Sequence, residues 1–242
     1  MNYEPRTYRR TVEPAGLTCF PVTIKETDLL VCAQRDLTDK AEDLVVRARW
    51  DLEEFIRGLP HFAETLTPLE VREDAPEIVR VMADAGRVAR VGPMAAVAGA
   101  IAEYVARGLA PDSPEVIVEN GGDVYLMGST ERTLALWAGS QGAQGVGIRV
   151  GPELMPVAVC TSSGTIGHSL SFGRADAVTV LAHDGALADA MATALANRVR
   201  DPADIERALE AGRGVPAVIG VVATIEGAVG AWGDVDLVAL GA

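Results

Sequence analysis

The chain has 242 residues, of which 49% are hydrophobic, and a formal net charge of −13 at pH 7. This apolar content is ample for a packed core, and the acidic balance makes nucleic acid an unfavourable partner because it repels polyanions. No apolar run reaches the ~20 residues of a membrane-spanning helix. Because no apolar stretch follows the arginines of the N-terminus either, we expect no membrane span and no secretory signal, and we place the protein in the cytoplasm.

The three cysteines, Cys19, Cys32 and Cys160, form an odd set without a CxxC pair. Such a set suits a reducing compartment and argues against a zinc cluster. We interpret Cys19 as an ordinary strand cysteine.

The N-terminal half predicts a hairpin followed by helices. Apolar runs at 17–24 and 28–34 flank a short polar turn, which is typical of two paired strands. Residues 38–55 place apolar side chains at steps of three and four, as in an amphipathic helix. Two further helices are predicted at 76–88 and 92–109.

The C-terminal half is rich in strands. Glycine-rich turns separate short apolar runs, and a buried helix at 186–199 and a short helix at 203–211 interrupt the series. Strands are predicted at 115–119, 123–127, 133–138, 145–150, 157–161, 177–182, 218–224, 227–232 and 235–240. Because strands and helices are grouped rather than alternating, the pattern favours a layered α+β fold, which we take as a single domain over 1–242.

The segment VENGGDVYL turns sharply between two strands. Asparagine and glycine supply positive φ at low cost, so the bland interpretation is a hairpin turn. That interpretation leaves the flanking acids unexplained, and bare glycine backbone also lets a ligand approach N–H groups closely. The candidate ligand-binding residues here are Glu119, Asn120, Gly121, Gly122 and Asp123.

In ALADAMATALAN, Asp189 and Thr193 are four residues apart. On a helix they project from the same face, one turn after the other. Hard cations such as Mg²⁺ take oxygen ligands, commonly one or two carboxylates with water and phosphate. The pair therefore indicates a site for Mg²⁺ or Mn²⁺. The alternative is a buried threonine that bonds its i−4 carbonyl, with Asp189 as a partner of the helix dipole.

The segment TSSGTIGH follows an apolar strand and carries many hydroxyl groups. A histidine there can act as a general base near neutral pH, with an unperturbed pKa of about 6.5, or simply bind and orient a ligand. A lone loop histidine is also often structural, so His168 is a candidate catalytic residue only. The candidate ligand-binding residues are Thr161, Ser162, Ser163, Gly164, Thr165 and His168.

The order ENGGD, TSSG, then ADAVTV leading into ADAMATAL, resembles the ApbE-like flavin transferases. Those enzymes depend on Mg²⁺ and move the FMN half of FAD onto a protein threonine. With IKETDL (24–29), GPMAAVAGAIAE (92–103) and TSSGTIGHSLSFG (161–173) included, the chain is similar to an uncharacterised ApbE-like branch of bacteria and archaea over about Tyr8 to Leu195. The resemblance implies a T-fold-related α+β fold, with antiparallel or mixed sheet, packed helices and a ligand cleft between these loops.

By this resemblance Asp189 and Thr193 match the metal-holding side chains of the transferases. The Gly121–Asp123 segment matches their glycine turn, and Ser163 with Gly164 matches their flavin site. The sequence departs from their pattern because SLSFG follows His168 where they have an Asp-Pro element, and because no lysine lies near residues 92–99.

The sequence thus predicts a divalent-metal-dependent enzyme that binds FAD, FMN or a pterin-like ligand, with the reaction left open. Glu119 or Glu26 would anchor the edge of the ring. The alternatives are a non-catalytic carrier or sensor, and a structural subunit with a vestigial cleft. The expected partner is a small phosphorylated or fused-ring molecule, and the pattern allows a homodimer.

Overall fold

The computed structural model describes residues 14–136, 145–164 and 173–240. Two antiparallel sheets contain all of the strands described. In chain order the strands are β1 (Thr18–Ile24), β2 (Thr27–Ala33), β3 (Val116–Asn120), β4 (Asp123–Met127), β5 (Arg132–Ala135), β6 (Val146–Val150), β7 (Val157–Ser162), β8 (Ala177–Ala182), β9 (Val218–Ile225), β10 (Ala228–Gly233) and β11 (Asp236–Ala239). The large sheet has the order β1-β2-β3-β4-β7-β8-β9-β10, and the small one β11-β6-β5.

The helices are grouped on one face of the large sheet. They are α1 (Thr38–Gly58), α2 (His61–Glu64), α3 (Glu77–Ala89), α4 (Val97–Leu109), α5 (Gly185–Ala196) and α6 (Ile205–Arg213), with short 3-10 segments at Pro93–Ala96, Pro152–Leu154 and Pro202–Asp204. Helix α4 lies against β3 and β4, α5 against β7 and β8, and α6 against β9 and β10. The predicted α+β class with its grouped elements is confirmed.

The large sheet buries both of its faces. Tyr125 and Cys160 belong to the main core under the helices, while Leu126 and Val159 belong to a second core, which Ile148 of the small sheet completes. Because side chains alternate along a strand, each central strand contributes to both cores. All six residues of β8 are buried, as expected for a strand covered on both sides.

Two segments differ from the sequence prediction. Residues 60–70 contain the short helix α2, where no helix or strand is predicted. The predicted helix at 92–109 begins with a 3-10 turn, and α4 starts only at Val97. Gly92 lies against the backbone of Thr65, where an added Cβ would be 1.9 Å from the Thr65 carbonyl oxygen. This close approach holds the sharp bend that separates α3 from α4.

Helices α4 and α5 cross at two glycines. A Cβ built on Gly99 would lie 2.1 Å from the Gly185 carbonyl oxygen, and one on Gly185 would lie 2.5 Å from the Gly99 carbonyl oxygen. Only residues without a side chain allow the two backbones to come this close. The crossing therefore fixes how closely α4 and α5 pack against each other.

The prediction of an ordinary strand cysteine at position 19 is wrong. A disulfide joins Cys19 to Cys32, because the β1–β2 register places the two residues directly opposite each other. The spacing argument considered only nearby CxxC pairs and missed this cross-strand pair, 13 residues apart. Cys160 is a buried free thiol.

The connection from β4 to β5 is held by the buried carboxylate of Glu115. It accepts hydrogen bonds from the Ser129 N–H at 2.7 Å, the Ser129 hydroxyl at 3.0 Å and the Thr130 hydroxyl at 3.1 Å. Arg132 completes the set with an ion pair at 3.2 Å. Burial raises the pKa of Glu115, but these hydrogen bonds outweigh it and leave the pKa below its ordinary value.

Among the helices described, none alone is long and apolar enough to span a membrane. The segments Glu77–Ala89 and Pro93–Leu109 together meet the length and composition of a span, but a bend of 104° separates them.

Candidate functional site

A glycine turn joins β3 to β4 at one end of the large sheet. Gly121 has φ of 69° and Gly122 has φ of 105°, a region that L side chains rarely adopt. The Gly122 N–H donates to Oε1 of Glu119 at 2.9 Å, and the Thr161 N–H donates to Oδ1 of Asp123 at 3.2 Å. The hairpin interpretation is therefore correct, and the flanking acids also tie the turn to its own backbone and to β7.

The first turn of α4 holds the carboxylate of Asp189. Oδ2 of Asp189 accepts hydrogen bonds from the Ala98 N–H at 3.0 Å and the Gly99 N–H at 2.9 Å. Asn120 donates from Nδ2 to the Ala98 carbonyl at 3.1 Å. This helix start therefore binds a carboxylate of the protein itself, in the favourable field of the helix N-terminus.

Sequence reasoning missed these contacts of α4. Nothing in the small residues of 92–103 identifies Asp189 as the group that contacts them. The second oxygen of Asp189, Oδ1, accepts no hydrogen bond from the part of the chain that the structure describes.

Burial has a strong effect on the two aspartates. It raises the pKa of Asp189 to about 7, although the hydrogen bonds from Gly99 and Ala98 act in the opposite direction. Burial, together with the nearby charge of Asp189, raises the pKa of Asp123 well above its ordinary value. Burial also raises the pKa of the Cys160 thiol beside them. Within the described residues, neither aspartate forms a salt bridge with lysine or arginine.

Strand alternation divides the predicted ligand-binding residues between the two faces of the sheet. Val118 and Tyr125 lie in the core under the helices. Asn120 is two residues from Val118 and Asp123 is two residues from Tyr125, so both side chains point to the same helix-covered face. Glu119 and Thr161 therefore point towards the other face, where the Thr161 hydroxyl lies 2.8 Å from the Thr179 hydroxyl. A single ligand would reach both groups only around the end of the sheet.

The remaining candidates lie at or near this end. By the same alternation Ser162 follows Cys160 on the helix face. Ser163 and Gly164 continue from β7, and the Gly164 N–H donates to the Ala175 carbonyl at 2.9 Å. Thr193 lies one turn after Asp189 and is partly buried. Thr165 and His168 fall outside the described residues, so their roles stay predictions.

Glu26 occupies the β1–β2 turn, which lies at the same end of the sheet because Leu29 pairs with Asn120. Its side chain is 77% exposed and forms a salt bridge with Arg49 at 2.5 Å. Of the two acids considered for the edge of a ring, Glu119 is the buried one, at 9% exposure.

No group of three His, Cys, Asp or Glu residues is arranged to hold a metal ion among the residues described. Two cavities lie away from the aspartates. One, of about 410 Å³, is lined by α1 and Tyr104 of α4. The other, of about 250 Å³, is lined by residues of both sheets, among them Val222 and Leu237.

Residues 9–216 match the model of a protein family described as AbpE bacteria. UPF0280 protein MJ1526 from Methanocaldococcus jannaschii is 42% identical over 221 residues, which cover 88% of this chain and 90% of that protein. A UPF0280 protein from Methanocella arvoryzae is 40% identical over 203 residues, with 84% and 83% covered.

Solved structures show the same fold at low sequence identity. The flavin transferase ApbE from Vibrio cholerae has a TM-score of 0.54 at 14% identity, covering 90% of this chain and 97% of that one. The ApbE protein from Thermotoga maritima also has a TM-score of 0.54, at 12% identity, with 88% and 96% covered. The predicted ApbE-like fold is therefore confirmed.

Proposed function

Because the chain belongs to the family described as AbpE bacteria, we propose that it binds a flavin nucleotide, FAD or FMN, or a pterin-like ligand, together with Mg²⁺ or Mn²⁺. The site lies between the β3–β4 turn and the first turn of α4. The observation that carries the proposal is the pair formed by the buried Asp123 and the half-buried Asp189, which has raised pKa values, an oxygen at Oδ1 of Asp189 without a described hydrogen bond and no described cationic partner. A bound cation would relieve the electrostatic cost of this pair.

The donor atoms suit a hard cation. Oδ1 of Asp189 and the hydroxyl of Thr193 are oxygen ligands one helical turn apart. Mg²⁺ commonly uses one or two carboxylates and completes its shell with water and substrate phosphate, so a full set of protein ligands is not required. When bound, the ion would neutralise phosphate charge on the ligand.

Each part of the chain has a distinct task in this proposal. The amides of Ala98 and Gly99 orient Asp189 and keep it ionised next to the cation. The open turn leaves room for phosphate, since a Cβ on Gly122 would meet only the Thr161 carbonyl oxygen, at 4.0 Å. Glu119, on the opposite face, would hold the polar edge of a ring that passes around the end of the sheet.

We favour an enzyme as the function of this protein, and a non-catalytic carrier or sensor is the alternative. The structures that share this fold include a flavin transferase, which supports chemistry on a flavin. The cytoplasmic location stays a prediction, and the Cys19–Cys32 disulfide weighs against it, because disulfides are rare in cytosolic proteins.

Isothermal titration with MnCl₂ and MgCl₂ tests the metal. We expect Asp189→Asn to weaken metal binding at least tenfold, or about 1.4 kcal/mol. The control is Asp43→Asn, which removes the same charge from an exposed position of α1 and is expected to leave the affinity unchanged. Equal metal affinity in all three proteins would remove the metal assignment.

Thermal shift assays with FAD, FMN and a pterin test the ligand. A ligand that binds the folded state raises the melting temperature by mass action, and we expect a larger rise with Mg²⁺ present. Turnover of FAD, followed by mass spectrometry, would favour the enzyme, and tight binding without turnover the carrier. No shift with any of the compounds would favour a structural subunit.

A further inference from the structure

A large aromatic side chain stands exposed on the outer face of α1. Trp50 is 64% exposed, and its neighbour Val46, one turn earlier, is 50% exposed. Tryptophan is among the residues enriched at the energetic centres of protein interfaces. Tyr104 of α4 borders the same surface. We refer to Val46, Arg47, Trp50, Asp51 and Tyr104 as the Trp50 face.

The basic residues of α1 are paired with acids, except on the Trp50 face. Lys40 bonds Asp112, Arg49 bonds Glu26 and Glu53, and Arg57 bonds Glu54. Arg47 is the basic residue of α1 that forms no ion pair in the described part of the chain, and Asp51, one turn away, forms none there either. Two opposite charges thus flank the exposed indole without engaging each other.

The same five residues line the cavity of about 410 Å³. Trp50 is itself one of these residues, so its projecting side chain forms one wall of a shallow, open depression. A two-fold symmetric contact uses one patch on both copies, so a projection and a depression on the same patch can fill each other reciprocally.

We propose that the Trp50 face binds a second copy of this chain in an antiparallel pairing of the two α1 helices. A two-fold axis that passes between Arg47 and Asp51 brings Arg47 of each copy to Asp51 of the other, and each Trp50 enters the depression of its partner. Helix α1 has 21 residues and so extends ~30 Å, which gives the two antiparallel helices a long line of contact. The pairing is independent of the proposed metal and flavin site.

Sedimentation velocity of the full chain from about 1 to 100 μM tests the pairing. We expect a dimer, and we expect Trp50→Ala to raise its dissociation constant at least tenfold. Arg47→Asp or Asp51→Arg alone is expected to do the same through like-charge contacts. The double variant Arg47→Asp with Asp51→Arg is expected to restore the dimer, because the exchanged charges again face each other.

Arg80→Asp on α3 is the control, since Arg80 is exposed and away from the Trp50 face. Far-ultraviolet circular dichroism of each variant checks that the fold persists. A wild-type monomer throughout the concentration range would overturn the proposal. A dimer that survives the single charge reversals, or that the double variant fails to restore, would also overturn it, because the copies would then meet through another surface.

Discussion

Replacing Asp189 by asparagine should stabilise the protein when no metal is present. The asparagine Oδ1 can still accept both hydrogen bonds from the first turn of α4, so the local geometry persists. The substitution removes a carboxylate whose pKa burial raises from 3.8 to about 7. It also removes the charge that contributes to the raised pKa of Asp123. Both effects relieve an electrostatic cost of the folded state.

The size of the effect follows from linkage between protonation and folding. A rise from 3.8 to about 7 corresponds to about 4 kcal/mol at full deprotonation, at roughly 1.36 kcal/mol per pKa unit. Because solvent reaches the partly exposed carboxylate, we expect roughly 1 to 3 kcal/mol at pH 8. The folded state binds this proton more tightly, so the contribution of Asp189 to stability is fully present below about pH 4 and is lost as the pH rises through 7.

Urea denaturation in EDTA at pH 5 and pH 8 measures this difference, with Asp43→Asn as the control for charge. We expect the free energy of unfolding of Asp189→Asn to exceed that of the wild type at pH 8, and we expect this difference to be smaller at pH 5. Saturating Mg²⁺ should reverse the order, because only the wild type gains from binding. If Asp189→Asn is the less stable protein at pH 8 in EDTA, the assignment of a carboxylate whose two hydrogen bonds only partly offset its burial is refuted.

Three further substitutions test other parts of the structure. Gly99→Ala should lower the free energy of unfolding by at least about 2 kcal/mol, because its Cβ would lie 2.1 Å from the Gly185 carbonyl oxygen. The control Gly58→Ala, whose Cβ meets nothing within 4 Å, should leave the free energy of unfolding unchanged. Equal effects of the two variants in urea denaturation would exclude the close crossing of α4 and α5. Glu115→Gln should lower the free energy of unfolding by about 1.5 to 3 kcal/mol at pH 7. The lowered pKa of Glu115 stabilises the fold only above the ordinary pKa of 4.5, so the difference between the two proteins should disappear as the pH falls below this value. A difference that does not change with pH would contradict the charge-assisted hydrogen bonds. His168→Asn should weaken ligand binding by about 1 to 3 kcal/mol and leave kcat unchanged. A fall in kcat of about 10²- to 10⁴-fold at unchanged ligand affinity would instead make His168 the general acid or base.

The sequence predicted the elements of the fold better than their contacts. Periodicity located most helices and strands because apolar spacing directly reflects which face is buried. The NGG turn was predictable for the same local reason, since positive φ demands glycine. The disulfide was not, because it depends on the register of β1 against β2, which places Cys19 opposite Cys32.

The candidate site shows the same limit. Asp189 could be selected from its helical spacing with Thr193, but its hydrogen bonds reach residues 90 and 91 positions away. No local pattern encodes such a contact. The division of Glu119 and Asn120 between opposite faces was implicit in strand alternation, yet it became meaningful only once helices were known to cover one face and the small sheet the other.

Main-chain atoms form one side of the four hydrogen bonds that join α4 and β7 to the carboxylate and amide side chains of the site. The amides of Ala98, Gly99 and Thr161 and the carbonyl of Ala98 are the partners of Asp189, Asp123 and Asn120. Peptide groups are present whatever side chain a codon specifies. Substitutions at positions 98 and 161 can therefore accumulate during evolution without loss of these hydrogen bonds. The three side chains that bond to those peptide groups have far less freedom to change.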